Sequence, residues 1–319
     1  MISLHPRDER LFDSEYHAPV LVREIAALLV PEGSAPDILD CTLGGGGHSE
    51  AFLSRGAHVT GIDRDPEAIA AASTRLATFG QTGVFRAVRS NFYDVDALPE
   101  LADASFDGIL ADLGISSHQI DDDVRGFSFR PGVPLDMRMS GEGTSAAALL
   151  NELPAGELAD LFYQYGDEPK SRRLAAEIER RRATRPFETS DDLVGAIRGA
   201  LGARTGPGDF ARLFQALRIA VNDELAGLER VLPELRDRLR PGGLLAIIAY
   251  HSGEDRLVKH AMRAWSTACH CPPRQPVCTC GGVALGELVT RKAIVPDAEE
   301  SARNPRARSA KLRVWRKAK

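Results

Sequence analysis

The stretch Leu39-Asp40-Cys41-Thr42-Leu43-Gly44-Gly45-Gly46-Gly47-His48-Ser49 limits what this chain can fold into more than any other. An apolar run ending in Ile38-Leu39 leads into it, and Ser49-Glu50-Ala51-Phe52-Leu53 reads as a helix start. Strand, glycine turn and helix in that order make a βα unit. Its turn lets backbone approach a ligand closely, because glycine lacks a Cβ and tolerates positive φ. His58-Val59-Thr60-Gly61-Ile62-Asp63 then reads as a second strand ending in an acid. Asp63 falls about 20 residues past the glycines, where folds of this kind place a carboxylate for ribose hydroxyls. The pattern predicts a site for a nucleoside-bearing cofactor. The plainer alternative is an ordinary tight βα turn.

The alternation continues. Val22 to Leu29 is a helix closed by Pro31, and Pro66-Glu67-Ala68-Ile69 opens another that runs to about Ala77. Val84 to Val88 is a third strand, followed by Asn91-Phe92, and Phe106 to Gly114 holds a fourth strand with a second strand-end acid, Asp112. Strands alternating with helices predict a doubly wound, mostly parallel sheet. From Ile115 to about Pro207 the pattern offers only a polar loop and four helical stretches. That stretch, 115–207, is expected to be an inserted, all-helical substrate-recognition domain, with 1–114 and 208–319 forming the sheet domain. Phe210 to Arg240 reads as helical in two pieces around Pro233, and Leu244 to Tyr250 as the fifth strand. Leu288–Val295 and Lys311–Trp315 read as two late strands with no helix between them, able to pair as an antiparallel hairpin.

Composition narrows the classes. A chain of 319 residues with 43% hydrophobic and 27% charged residues has an ordinary globular make-up. It has no apolar run near the ~20 residues of a membrane span. Its polar first ten residues do not read as a signal peptide, and its few cysteines fit a reducing cytoplasm. The net charge of -5 excludes a uniformly basic nucleic-acid binder. The distribution is uneven: Ser301–Lys319 carries eight basic residues and no acidic one, and Lys170–Arg185 carries seven against two. Such patches suit phosphate contacts, or equally a solvated helix face and a basic tail.

Nicotinamide dinucleotides want Gly-x-Gly-x-x-Gly opening onto a helix, and the residue three past Gly46 is Ser49, so that fingerprint fails. S-adenosylmethionine carries no phosphate. It needs backbone room, a ribose carboxylate and a wall for adenine, for which Asp63, Asp112 and Phe92 are the candidates. The late hairpin also favours a methyltransferase sheet over a dehydrogenase.

Several stretches together resemble the RsmH (MraW) family of small-subunit ribosomal RNA methyltransferases. They are His17-Ala18-Pro19-Val20-Leu21, Asp40–Ser49, Gly61–Pro66, Asp107–Gln119, Arg125-Gly126-Phe127-Ser128-Phe129, Pro134-Leu135-Asp136-Met137-Arg138-Met139, Phe214–Ile219 and Asn304–Ala310. The resemblance runs nearly end to end. It implies a seven-stranded Rossmann-like methyltransferase sheet and S-adenosylmethionine as cofactor. It also implies methylation of the exocyclic N4 of a cytidine in the decoding region of small-subunit rRNA. Carried over by motif, the cofactor residues are Gly46, Gly47, His48, Asp63, Phe92, Asp112 and Gln119. His48 and Gln119 rest on the resemblance alone.

Methylating an amine whose lone pair is delocalised calls for an acceptor on its N–H. The Asp/Asn-Pro-Pro-aromatic device of other exocyclic-amine methyltransferases is absent, since Asp112-Leu113-Gly114-Ile115 stands in its place. Ser116, Asp136 and His251 are the candidate catalytic residues, with Ser117 beside them. Each also has a plain structural reading: Ser116 as a cap, Asp136 as a partner of Arg138, His251 as strand-end packing. The Arg125–Met139 loop and the helical insertion would roof a pocket for an unstacked base.

Two departures from the family stand out. It usually has Ser-Phe-His-Ser-Leu-Glu-Asp-Arg where this chain has Ala249-Tyr250-His251-Ser252-Gly253-Glu254-Asp255-Arg256, and His-Pro-Ala-Thr-Arg where this chain has Asp209–Leu213. They motivate a rival reading, a non-catalytic rRNA-binding assembly factor on the same fold. An NAD-dependent oxidoreductase is a third. Cys269-His270-Cys271 and Cys278-Thr279-Cys280 are two Cys-x-Cys pairs. Four thiolates can bind zinc, yet the familiar spacing is Cys-x-x-Cys and methyl transfer needs no metal, so none is assigned. The expected partners are small-subunit rRNA or the assembled small subunit, with no membrane and a homodimer left open.

Overall fold

A computed structural model describes residues 12–13, 18–202, 204–269, 271, 275, 277 and 279–319. In chain order it holds α1 (Val22–Leu29), β1 (Asp37–Asp40), α2 (Gly47–Ser54), β2 (His58–Asp63), α3 (Pro66–Arg75), α4 (Ala77–Gln81), β3 (Phe85–Arg89) and β4 (Phe106–Asp112). Next come α5 (Ser117–Asp121), α6 (Ala146–Glu152), α7 (Ala155–Gln164), α8 (Ser171–Arg182), α9 (Ser190–Leu201), α10 (Pro207–Val221) and α11 (Glu224–Asp237). The chain closes with β5 (Leu239–Ala249), α12 (Ser252–Trp265), β6 (Gly286–Leu288), α13 (Ala298–Arg303) and β7 (Lys311–Lys317).

The strands form one seven-stranded sheet in the order β3-β2-β1-β4-β5-β7-β6. The first five are parallel, while β7 runs antiparallel to both β5 and β6. Strands covered on both faces read as unbroken apolar runs, and β5 shows why. Leu245 and Ile247 face one apolar cluster with Leu39, Ile109 and Trp315; Ala246 and Ile248 face another with Ile38, Leu110 and Val314. At the N-terminal edge Arg240 reaches Asp37 and Asp107, each at 2.7 Å, and ties β1, β4 and β5 together.

The chain divides into two compact units: residues 1–114 with 226–319, and residues 115–225. The expected return to the sheet domain at residue 208 therefore differs from the contacts. Helix α10 gives Phe210, Leu213, Phe214, Ala216 and Leu217 to the second unit's core, with Leu158, Phe162, Leu174 and Ile197. The helical break also differs. It falls at Asn222-Asp223, where Asp223 takes a left-handed φ of 51°, while Pro233 lies within α11. The late strands are separated by α13 and a 3-10 turn at Pro305–Ser309, contrary to the reading of no helix between them. β6 is only three residues long. Among the described residues no helix is long and apolar enough to cross a membrane.

Candidate cofactor and active site

In a parallel sheet the loops after the strands share one edge, and here that edge carries the glycine turn and both strand-end acids. The turn begins at buried Asp40, whose carboxylate accepts the Ser49 hydroxyl at 2.7 Å and the Thr42 N–H at 3.2 Å. Gly46 caps α2 with φ 80°, a value costly for any residue with a Cβ. Gly61, on the neighbouring strand, is needed for closeness: a Cβ there would lie 2.6 Å from Leu43 Cδ1. Gly47 has a packing reason of its own, since its Cβ would meet Pro19 at 3.0 Å.

Asp63 closes the turn from β2. Its carboxylate accepts the Gly44 N–H at 2.8 Å and the Asp65 N–H at 2.9 Å. Burial pushes this carboxyl up, against the pull of those two N–H groups. A carboxylate offers about four lone-pair sites, so acceptor capacity remains on both oxygens. Phe92 is buried and its ring packs on Tyr93 with centroids 4.4 Å apart. Tyr93 in turn fills space that a Cβ on Gly227 would enter.

Asp112 ends β4. Its N–H is held by Thr42 Oγ1 at 2.7 Å, and its carboxyl accepts the Tyr250 hydroxyl at 2.9 Å. Burial raises its pKa to about 8, with the Tyr250 bond acting the other way. His48 Nδ1 lies 3.9 Å from Asp112, and its Nε2 meets the Val20 carbonyl at 2.9 Å. Burial lowers the His48 pKa to about 4, so the ring is neutral and Nε2–H donates to Val20. Neither Thr42 nor Tyr250 was named as a site residue from sequence. In the sequence Tyr250 stands out only as a departure from the family.

His251 starts α12. Its Nδ1 accepts the Gly253 N–H at 3.2 Å, and its Nε2 lies 3.2 Å from Glu254 Oε1. The remaining candidates belong to the second unit. Ser116 caps α5 in a reciprocal pair with Gln119: each side-chain oxygen accepts the other's backbone N–H, at 3.2 and 3.0 Å. Gln119 is thereby buried and occupied in holding that turn. Asp136 is gripped by Arg138, whose Nη2 approaches to 2.6 Å. Burial raises the Asp136 carboxyl, but hydrogen bonds from Arg138 outweigh it and hold it below the usual range. Gly126 carries this segment: with φ 78°, a Cβ there would fall 2.5 Å from the Pro134 oxygen and 2.6 Å from the Asp136 nitrogen.

The departure at residues 209–213 has a structural account. Arg212 pairs with buried Glu168 at 2.6 Å and Asp209 accepts the Gly206 N–H at the start of α10. The basic tail is largely spent on structure. Arg313 and Lys311 pair with Asp255, Arg316 with Glu287, and Lys317 caps the carbonyls of Asp237 and Leu239. In the Lys170–Arg185 stretch Arg180 and Arg181 pair with Glu177, whereas Arg172 and Arg173 stand exposed on α8.

A doubly wound sheet with antiparallel β7 set between β5 and β6, a glycine turn after β1 and carboxylates at the ends of β2 and β4 is a Rossmann-like sheet with a ligand edge, and the family model that matches makes its class a methylase. The chain belongs to the MraW methylase family, whose model matches residues 14–318. It is 58% identical over 304 residues to a ribosomal RNA small subunit methyltransferase H from Gemmatimonas aurantiaca, covering 95% of this chain and 96% of that one. Proteins of the same name from Heliobacterium modesticaldum and an Anaeromyxobacter species are 46% and 48% identical. Those alignments cover 95% and 94% of this chain, and 98% and 97% of the relatives.

Proposed function

We propose that this enzyme, a methyltransferase of small-subunit rRNA that uses S-adenosylmethionine, methylates the exocyclic N4 of a cytidine in the decoding region. The observation that carries the cofactor half is the Gly44–Asp63 closure of the turn, which leaves lone pairs on both Asp63 oxygens. Two ribose hydroxyls are two donors, and the chemistry of the donor set fits. Gly46 and Gly47 would supply backbone at the turn, and Asp112 would receive a donor at the end of β4. His48 would act through its neighbours, fixing the helix start against Val20. Phe92 would form part of the apolar floor, and Gln119 would hold the Ser116 turn.

S-adenosylmethionine supplies a methyl group already activated on a sulfonium, so the protein's part is mostly alignment. The attacking N4 becomes strongly acidic as its bond to the methyl carbon forms and the S–C bond breaks, so the acceptor needs to be ionised and well placed rather than strongly basic. Asp136 meets the first requirement, because Arg138 keeps it a carboxylate. Ser116 and His251 are engaged at helix starts, which assigns them to shaping the loops. Exposed Arg172 and Arg173 would meet rRNA phosphates, giving binding that weakens with salt. The deciding experiment transfers labelled methyl from S-adenosylmethionine to small subunits from cells lacking this gene, followed by nucleoside analysis. Labelled N4-methylcytidine is expected. Cofactor binding with no labelled nucleoside, on subunits or on naked rRNA, would point instead to a non-catalytic assembly factor.

A further inference from the structure

The segment after α12 has no apolar reason to be ordered. From Thr267 to Ala284 no described residue is buried, and Val277 and Val283 are 70% and 79% exposed. Among the described residues of this stretch none is in a helix or strand, and small loops lacking a core usually need a staple. The base of the loop is firm. The Leu285 N–H donates to the Trp265 carbonyl at 2.8 Å, the Ala318 N–H donates to the Leu285 carbonyl at 2.9 Å, and Trp265 packs edge-on to Trp315.

Above that base three thiols converge. The sulfurs of Cys269, Cys271 and Cys280 all lie within 4.8 Å of one another. Cys269 and Cys280 are 4.0 Å apart. Two sulfurs each ~2.3 Å from a tetrahedral zinc are separated by about 3.8 Å, whereas a disulfide needs about 2.05 Å. The backbone N–H groups of Thr279 and Cys280 hydrogen-bond the Cys271 sulfur and orient it toward the other two. Three converging soft donors on a loop with no buried apolar residue among those described are what zinc selects.

We infer that Cys269, Cys271 and Cys280 bind a structural zinc ion that takes the place of a hydrophobic core in the 266–284 loop. Binding replaces three S–H bonds with three Zn–S bonds and releases the protons to solvent. A fourth donor completes the tetrahedron; Cys278 lies outside the described residues. The site is independent of the methyl-transfer reading, since none of its residues is placed at the cofactor edge.

The test uses the full chain, purified under reducing conditions after expression with added zinc. Metal analysis should find one zinc per chain, lost in Cys271→Ser and in Cys280→Ser. Cobalt(II) added to stripped wild-type protein should give thiolate charge-transfer and tetrahedral d–d bands, a readout that does not depend on the variants folding. Limited proteolysis should cut the loop faster after chelation. Zinc below one-tenth per chain together with no thiolate–cobalt band would overturn the inference. So would a Cys269–Cys280 disulfide trapped by alkylation in freshly lysed cells.

Discussion

The strand-end edge of the sheet unit and the polar groups of the helical unit treat carboxylates in opposite ways. At the sheet edge burial wins: Asp40 is raised to about 6 and Asp112 to about 8, and Asp63 also rises. In the helical unit partners win. Arg180 and Arg181 lower Glu177 to about 2, and at Asp136 and Asp192 hydrogen bonds outweigh burial and lower the pKa. A carboxyl held up by burial keeps its proton to higher pH, because its charged form has lost water. A carboxyl held down by its partners is fixed as an anion, as Asp136 is by Arg138. The difference separates carboxyls that hold a proton toward neutral pH from carboxyls fixed as anions, and it can be tested in both units.

The largest effect is expected in the helical unit. Gly126→Ala must place a Cβ against the Pro134 carbonyl and the Asp136 amide at positive φ. Neither neighbour is a flexible side-chain end. Overpacking and left-handed strain together should cost about 3–4 kcal/mol. Chemical denaturation should show it, and methyl transfer should collapse while S-adenosylmethionine binding to the folded fraction, measured calorimetrically, stays within a few-fold. Loss of cofactor binding in that fraction would break the separation between the units.

Next comes Asp63→Ala. It removes two N–H acceptors of the turn and the expected ribose acceptor. Hydrogen bonds to a charged group contribute about 1.5–3 kcal/mol, so cofactor affinity should fall about 100-fold. Unchanged affinity would remove Asp63 from the cofactor site.

These two sites also mark how much was legible in sequence. The turn and Asp63 were readable because strand, glycines and strand-end acid are local and ordered along the chain. Ser116 as a cap and Asp136 beside Arg138 were readable for the same reason, being contacts over three and two residues. Tyr250 to Asp112 spans 138 residues and had no local signal. The break at Asp223 was hidden because a lone left-handed aspartate leaves no pattern, whereas Pro233 looked like a breaker. For α10, amphipathy shows which face is buried but not against which core, so the sequence alone does not separate it from the sheet domain. Three close cysteines were visible as pairs, but their convergence was not.

A medium effect is expected from pH. Asp112 holds its proton in the folded state up to about 8 but ionises near 3.8 when unfolded, so stability falls as pH rises through that interval. Asp40 acts in the same direction up to about 6. His48 acts oppositely between about 4 and 6.5, because only the unfolded chain takes up its proton there. From 6.5 to about 8 the Asp112 contribution stands apart from both. At 1.36 kcal/mol per unit it amounts to about 2 kcal/mol. Wild type should lose that much stability across the interval relative to Asp112→Asn, read from denaturation at several pH values. Parallel curves would mean that Asp112 is ionised in the folded state, and the contrast between the two units would lose its strongest member.

The smallest effect is the most pointed. Tyr250→Phe gives this chain the residue its family usually carries and removes one hydroxyl. That hydroxyl donates to Asp112 and favours its ionised form, so its loss should push the Asp112 pKa further up. A single neutral donor contributes about 1 kcal/mol, so cofactor affinity near neutral pH should change less than tenfold. The pH at which affinity levels off should move upward by a comparable fraction of a unit. Titrating binding across pH separates this from a packing effect, which would shift affinity equally at every pH. A uniform shift would make Tyr250 a wall of the site. A displaced midpoint would make it the residue that tunes Asp112, and would explain why this chain can depart from its family there and keep the same edge.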